Sequence, residues 1–257
     1  IAPVFGAINL EDISAPRCFD IEARLSRDLE IPVFHDDQHG TAIVVLAGLM
    51  NAANVVRKDL RKLRIVVSGA GAAGIATARL FLAAGIRDVT LVDRLGVIWQ
   101  GRPKMTGAKR EMARLTNPRK VRGDLAQAAA GADAFVGVST GNVLTAAMVR
   151  SMAPGAGVFA MANPVPEIDP RLAAAAGAAV VATGRSDFPN QINNVLAFPG
   201  VFRGLLDGRI RHVSVSMKLS VASAIARLTP RPTAERITTT VFDRRLVPAI
   251  AAAVRGR

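Results

Sequence analysis

Tyrosine is absent from this 257-residue chain, tryptophan and cysteine occur once each, and histidine occurs three times. A lone cysteine, Cys18, excludes an internal disulfide and fits a reducing compartment, so a cytoplasmic setting is expected. It falls on the apolar face of a helical pattern and reads as core, not as a nucleophile. Acids are scarce beside bases, 20 against 33, for a net charge of +13. That balance raises nucleic acid as a partner, but the bases are spread along the chain. The densest run, residues 57–64, has no aromatic residues interleaved as stacking platforms, so no nucleic-acid partner is expected. Long hydrophobic runs are missing too. The longest, residues 42–56, holds Asn51 and Asn54 and falls short of the roughly 20 residues a membrane helix needs, so no membrane span is expected. No leader pattern opens the chain. It begins at Ile1 in mid-pattern, which leads us to expect an upstream part beyond it. A Gly-x-Ser-x-Gly nucleophile elbow is also lacking.

Half of the residues are apolar, enough for a full core. The stretch that organises them is Arg64-Ile65-Val66-Val67-Ser68-Gly69-Ala70-Gly71-Ala72-Ala73-Gly74, followed by an Ala-rich helical pattern. An apolar β-branched run entering Gly-x-Gly-x-x-Gly and leaving into a helix is the context of a dinucleotide fingerprint. Gly69 suits the tight turn, Gly71 lets backbone approach a pyrophosphate, and Gly74 allows close packing of helix on strand. The free N–H groups of the helix start, from Ala70, Ala72 and Ala73 onward, face the phosphates. Asp93 ends the next apolar run, nineteen residues after Gly74, where a carboxylate can accept from a ribose. Its neighbour Arg94 suits a 2′-phosphate instead, which leaves NAD against NADP open.

Around this unit the periodicity predicts an extended segment over 1–10 and a helix started by Ser14 and Pro16, with Cys18, Ile21, Leu25 and Leu29 on one face. An extended run over 31–34 follows, then a long buried helix capped by Thr41 and reaching Val56. Strands are expected at 89–93, 133–138, 157–161 and 178–182, and helices at 72–84, 104–115, 123–130, 145–152, 191–206 and 213–228. Short strands alternating with helices make this an α/β chain with a doubly wound, mainly parallel, Rossmann-like sheet. The tail, 229–257, is expected to pack over it.

Three carboxylates invite a chemical reading. Glu11 and Asp12 precede a helix, and Asp37 ends the run that returns after it. Brought together, they would repel unless a cation bound them, and oxygen ligands favour Mg²⁺ or Mn²⁺. Helix capping explains the first two as well. His35 and His39 read as fixing loop backbone in preference to a zinc pair. Asn163, after a strand end, and Asn194 could hydrogen-bond a carboxylate or carboxamide, or serve turns.

Several blocks resemble the bacterial malic enzymes: Asn9-Leu10-Glu11-Asp12-Ile13, Phe34-His35-Asp36-Asp37-Gln38-His39-Gly40-Thr41-Ala42, the glycine turn, Ala162-Asn163-Pro164, and residues 182–191. They occur in the family's order over nearly the whole chain. The resemblance implies oxidative decarboxylation of malate to pyruvate and CO₂ with NAD or NADP and a divalent metal, Mg²⁺ or Mn²⁺, in a homo-oligomer, dimer or larger. It assigns the metal to Glu11, Asp12 and Asp37, a supporting role to Asp36, and the substrate and nicotinamide side to Asn163 and Asn194. It also divides the chain into a remnant of the malate- and metal-binding domain, 1–36, a dinucleotide-binding domain, 37–228, and the tail, 229–257.

One departure weighs against full activity. The family's proton-transferring Lys and Tyr lie upstream of its Glu-Asp pair, whereas this chain has no Tyr and its first Lys is Lys58. Alone, it is expected to bind dinucleotide and metal and to turn over malate poorly or not at all. The alternative is a catalytically inactive dinucleotide-binding or regulatory module.

Overall fold

A computed structural model describes residues 2–256, so expectations touching Ile1 and Arg257 lie outside the described residues. The chain opens with a small unit. β1 (Ile8–Leu10) and β2 (Val33–His35) pair in parallel and are joined by α1 (Arg17–Asp28). The expected extended start is shorter than read, because Ala2–Val4 forms a 3₁₀ turn. Of the apolar face of α1, Cys18 is fully buried, while Ile21, Leu25 and Leu29 are half-buried. Ser14 does not cap this helix. The N-cap position is Pro16, two residues on, and Ser14 instead offers its carbonyl to the Cys18 N–H at 3.2 Å.

β2 runs into a π-helical turn, Asp36–Gly40, which passes without interruption into α2 (Thr41–Val55). Thr41 therefore does not act as a cap, since the backbone at Gly40 is already helical and no free helix end exists there. α2 is apolar around its whole circumference and nearly all of it is buried, as such a helix must be.

The main body follows: β3 (Arg64–Ser68), α3 (Ala72–Ala83), β4 (Asp88–Asp93), β5 (Gly96–Val97), α4 (Gly107–Leu115), α5 (Leu125–Ala129), β6 (Ala134–Gly137), α6 (Ala146–Ser151), β7 (Gly157–Ala160), α7 (Pro170–Ala175) and β8 (Val180–Thr183). One six-stranded sheet runs in the order β5-β4-β3-β6-β7-β8, parallel throughout except for β5 at its edge. Strand residues alternate between two cores. Ile65, Val67, Leu91, Val136 and Phe159 face α2 and α3, while Val66, Phe135 and Val158 face α5, α6 and α7. The sheet is thus doubly wound. Its order reverses between β3 and β6, so the crevice for a ligand opens beyond the carboxyl ends of those two strands.

Three elements go beyond the sequence reading: β5, the short α7, and α10 (Leu246–Val254) within the tail. The single helix expected over 191–206 is divided. Gln191 bridges Thr183, a 3₁₀ turn takes Asn194–Leu196, and α8 (Phe198–Gly208) follows. α9 (Val215–Arg227) packs on α2, and α10 packs on α8 and α9. Among the described residues no helix is long and apolar enough to cross a membrane.

Candidate functional site

The turn after β3 sets the geometry of the crevice. Gly69 has φ +109°, and a Cβ on it would press into the Val138 carbonyl of the turn after β6. A Cβ on Gly74 would overlap the Gly69 carbonyl, so α3 can lie against the turn only without one. Gly71, the N-cap of α3, differs from both: among the described residues nothing lies within 4 Å of the place its Cβ would take. The open space in front of it belongs to a cleft of about 650 Å³ lined by Gly69, Ala70, Gly71, Asp93, Val138 and Ser139, among others. Ala72 and Ala73 form the first turn of α3. Val138 and Ser139 also line a second cavity of about 230 Å³, together with Ala73, Asn163 and Asn194. The two spaces meet at the carboxyl end of β6.

Asp93 stands on the wall of the larger cleft, but its oxygens are committed. Arg102 donates from Nη1 to Oδ1 at 2.8 Å and from Nη2 to Oδ2 at 2.7 Å. Lys109 donates to Oδ2 at 2.6 Å, and the Leu95 N–H to Oδ1 at 2.9 Å. Burial alone would raise its pKa, but these hydrogen bonds, from Arg102 first, outweigh it and hold the carboxyl well below the usual range. A ribose hydroxyl would therefore have to displace a partner that spacing along the chain did not reveal.

At the far side lie the acids. The Asp12 N–H donates to Asp37 Oδ2 at 2.8 Å, and Asn9 Nδ2 donates to Glu11 Oε2 at 3.1 Å. β1 and β2 thus bring the Glu11–Asp12 pair beside Asp37, because their parallel register sets Leu10 against His35. Asp36 is fully buried; Asn194 donates to its Oδ2, and its Oδ1 has no hydrogen-bond partner among the described residues. Burial, with Glu11 and Asp37 facing it, pushes the Asp36 carboxyl up to about 7. Among the described residues no three His, Cys, Asp or Glu side chains are already closed into a metal-holding group. The donor set nevertheless fits a hard cation: Glu11 and Asp37 crowd negative charge against the buried Asp36, whose Oδ1 stands unpaired among the described residues, and a divalent ion would relieve both.

His35 is fully buried, and among the described residues neither ring nitrogen has a hydrogen-bond partner. His39 sits between charges. Its Nε2 is 2.7 Å from Glu22 Oε1, and Lys218 Nζ lies 2.9 Å from its Nδ1. Gln38 adds a hydrogen bond to Glu22 at 3.0 Å. Burial pushes the Lys218 ammonium down to about 8. This clasp joins α1, the acid turn and α9. Sequence reasoning found His39 but neither partner, since Glu22 and Lys218 look like ordinary solvent-facing positions of amphipathic helices.

A crevice at the strand reversal, floored by a glycine turn and a helix start, defines a dinucleotide-binding domain of the doubly wound class. Comparison with known proteins carries this further. The family model described as the malic enzyme NAD-binding domain matches residues 38–253, and the chain belongs to that family. It is 51% identical over 257 residues to the bifunctional malic/malolactic enzyme of Bacillus subtilis, covering 99% of this chain and 63% of that protein. It is 52% identical over 256 residues to the NAD-dependent malic enzyme of Geobacillus stearothermophilus, covering 99% of this chain and 53% of that protein. The crystal structure of the NAD-dependent malic enzyme of Thermotoga maritima superposes with a TM-score of 0.96 at 47% identity, over 99% of this chain and 68% of that one. The chain therefore spans between about half and two thirds of these curated relatives.

Proposed function

We propose that this chain is the cofactor- and metal-binding part of a malic enzyme, which oxidises malate with NAD⁺ or NADP⁺ and releases pyruvate and CO₂. The observation that carries the reading is the contact between Asp36 and Asn194, 158 residues apart, at the rim of the small cavity that continues the dinucleotide cleft. It supports the reading because it joins an acid beside the proposed metal ligands to an amide that lines this cavity.

On this reading Glu11, Asp12 and Asp37 hold a divalent ion, Mg²⁺ or Mn²⁺, and Asp36 supports them. When bound, the ion supplies a Lewis acid for the substrate's C2 oxygen and for the negative charge left as CO₂ departs. A bound nicotinamide would supply the acceptor for the C2 hydride. The N–H groups at the start of α3 bind the pyrophosphate. Asn163 and Asn194 present amides that orient a carboxylate or the carboxamide. With Asp93 committed to Arg102 and Lys109, the adenosine end of the cleft offers the cations Arg94 and Lys109, which suits NADP⁺ as well as NAD⁺.

Calorimetric titration with Mn²⁺ tests the reading. One site is expected in the wild-type chain. In Asp37→Ala the Mn²⁺ affinity is expected to fall by about two orders of magnitude, since ligand charge sets affinity for hard cations, while NAD⁺ binding stays unchanged. Malate-dependent reduction of NAD(P)⁺ by a polypeptide of residues 1–257 is expected to be negligible, because these residues include no Tyr and no Lys before Lys58. Dinucleotide binding with no Mn²⁺ site would favour the inactive-module reading instead.

A further inference from the structure

One buried carboxylate has no part in this chemistry. Glu167 lies in the loop between β7 and α7 and is fully buried. Its Oε1 accepts from the Ser139 N–H at 2.9 Å and from Ser139 Oγ at 3.3 Å, and its Oε2 accepts from the Ala162 N–H at 3.0 Å. Ser139 Oγ is in turn 3.2 Å from Ser68 Oγ at the end of β3. A single side chain thus ties together the carboxyl ends of β3, β6 and β7. The neighbouring backbone reinforces the tie: the Leu144 N–H donates to the Glu167 carbonyl at 2.9 Å, and the Asn142 N–H to the Pro166 carbonyl at 3.0 Å. β6 makes room for the carboxylate with Gly137, where any Cβ would overlap it.

The choice of glutamate follows from the donors. Two N–H groups from different loops converge on opposite oxygens. A carboxylate accepts at both ends, whereas an amide would turn an NH₂ against one of them. Burial pushes the Glu167 pKa up, so the group is kept in spite of its desolvation. The atoms it fixes are those where the two cavities meet. Val138 and Ser139 line both spaces, and Ala162 and Asn163 line the smaller one.

We infer that Glu167 is a positioning residue for the nicotinamide half of the dinucleotide, holding the 138–139 and 162–163 backbone as the walls between which that half enters the small cavity. The inference rests on the dinucleotide reading of the cleft. The N–H groups at the start of α3 and the cations Arg94 and Lys109 make no hydrogen bond to Glu167 or Ser139 among the described residues, so binding of the pyrophosphate and adenosine end is expected to survive its loss.

The test uses the emission of bound NADH, which reports the surroundings of the nicotinamide, together with calorimetric binding of ADP-ribose, which lacks the ring. In the wild-type chain, bound NADH is expected to emit more strongly and to the blue of NADH in water. Glu167→Gln is expected to return the emission of saturated NADH toward that in water while ADP-ribose affinity is unchanged. Ser139→Ala, which keeps the N–H but removes the hydroxyl link, is expected to shift the emission part of the way, and it decides the matter if Glu167→Gln does not fold. Unchanged NADH emission in both variants would overturn the inference, as would a parallel loss of ADP-ribose binding. A wild-type chain that binds neither ligand would remove the dinucleotide reading itself.

Discussion

Gly71 and Gly74 are three residues apart and opposite in what they tolerate. A methyl group on Gly74 would overlap the Gly69 carbonyl, so Gly74→Ala is expected to cost about 1–3 kcal/mol in chemical denaturation, the usual range for overpacking. A methyl group on Gly71 meets nothing within 4 Å, and its φ of −93° is open to any residue. Gly71→Ala is therefore expected to leave the denaturation midpoint in place and to weaken NAD⁺ binding, because its Cβ projects into the space a pyrophosphate would fill. Equal losses of stability in the two variants would contradict this assignment. The glycine pattern was legible because each position answers to a local backbone demand. Asp93 was legible as a strand-end acid, but its partners Arg102 and Lys109 come from beyond the turn, and nothing in local spacing announces them. Glu167 was passed over for the same reason: its donors come from loops as far as 28 residues away in the chain.

At the scale of elements, the clasp of Glu22, His39 and Lys218 joins α1 to α9 across the acid turn. The charged groups facing Lys218 are Glu22, which raises its pKa, and Arg79, which lowers it, but burial dominates and brings it to about 8. The unfolded chain keeps that proton to about 10.4, so between these values the unfolded state binds more protons than the folded one. The contribution of Lys218 to stability therefore rises with pH through this window and is lost as pH falls through about 8. In urea titrations the stability of wild type minus that of Lys218→Met is expected to grow from pH 8 to pH 10. A difference independent of pH would show that the ammonium is not desolvated in solution. The strands of the sheet were readable because burial on both faces turns each into an apolar run. The six-residue α7 and the two-residue β5 are too short to show a period. The junction of the acid turn with α2 was misread as a cap, since a polar run before an apolar helix has the same pattern whether its backbone is coiled or already helical.

For the molecule as a whole, the acids lie on the small β1–β2 unit and the turn that follows, while the amide that meets Asp36 lies beyond the last strand of the sheet. Contacts of such separation must await closure of the chain between them, and closure is slow to be rewarded. The Asp36–Asn194 contact, which fixes the acid turn against the sheet, is therefore expected to form late in folding, after β3 to β8 are assembled, so that a cation that needs the fixed turn has nothing to template at the start. Mn²⁺ at about 100 times its dissociation constant should stabilise the fold by about 2.7 kcal/mol. In stopped-flow measurements that gain is expected almost wholly as slower unfolding, with the refolding rate unchanged. The metal would then act as a latch on the finished protein and not as a seed for it, and the chain's lifetime, more than its speed of folding, would follow the ion supply of its surroundings.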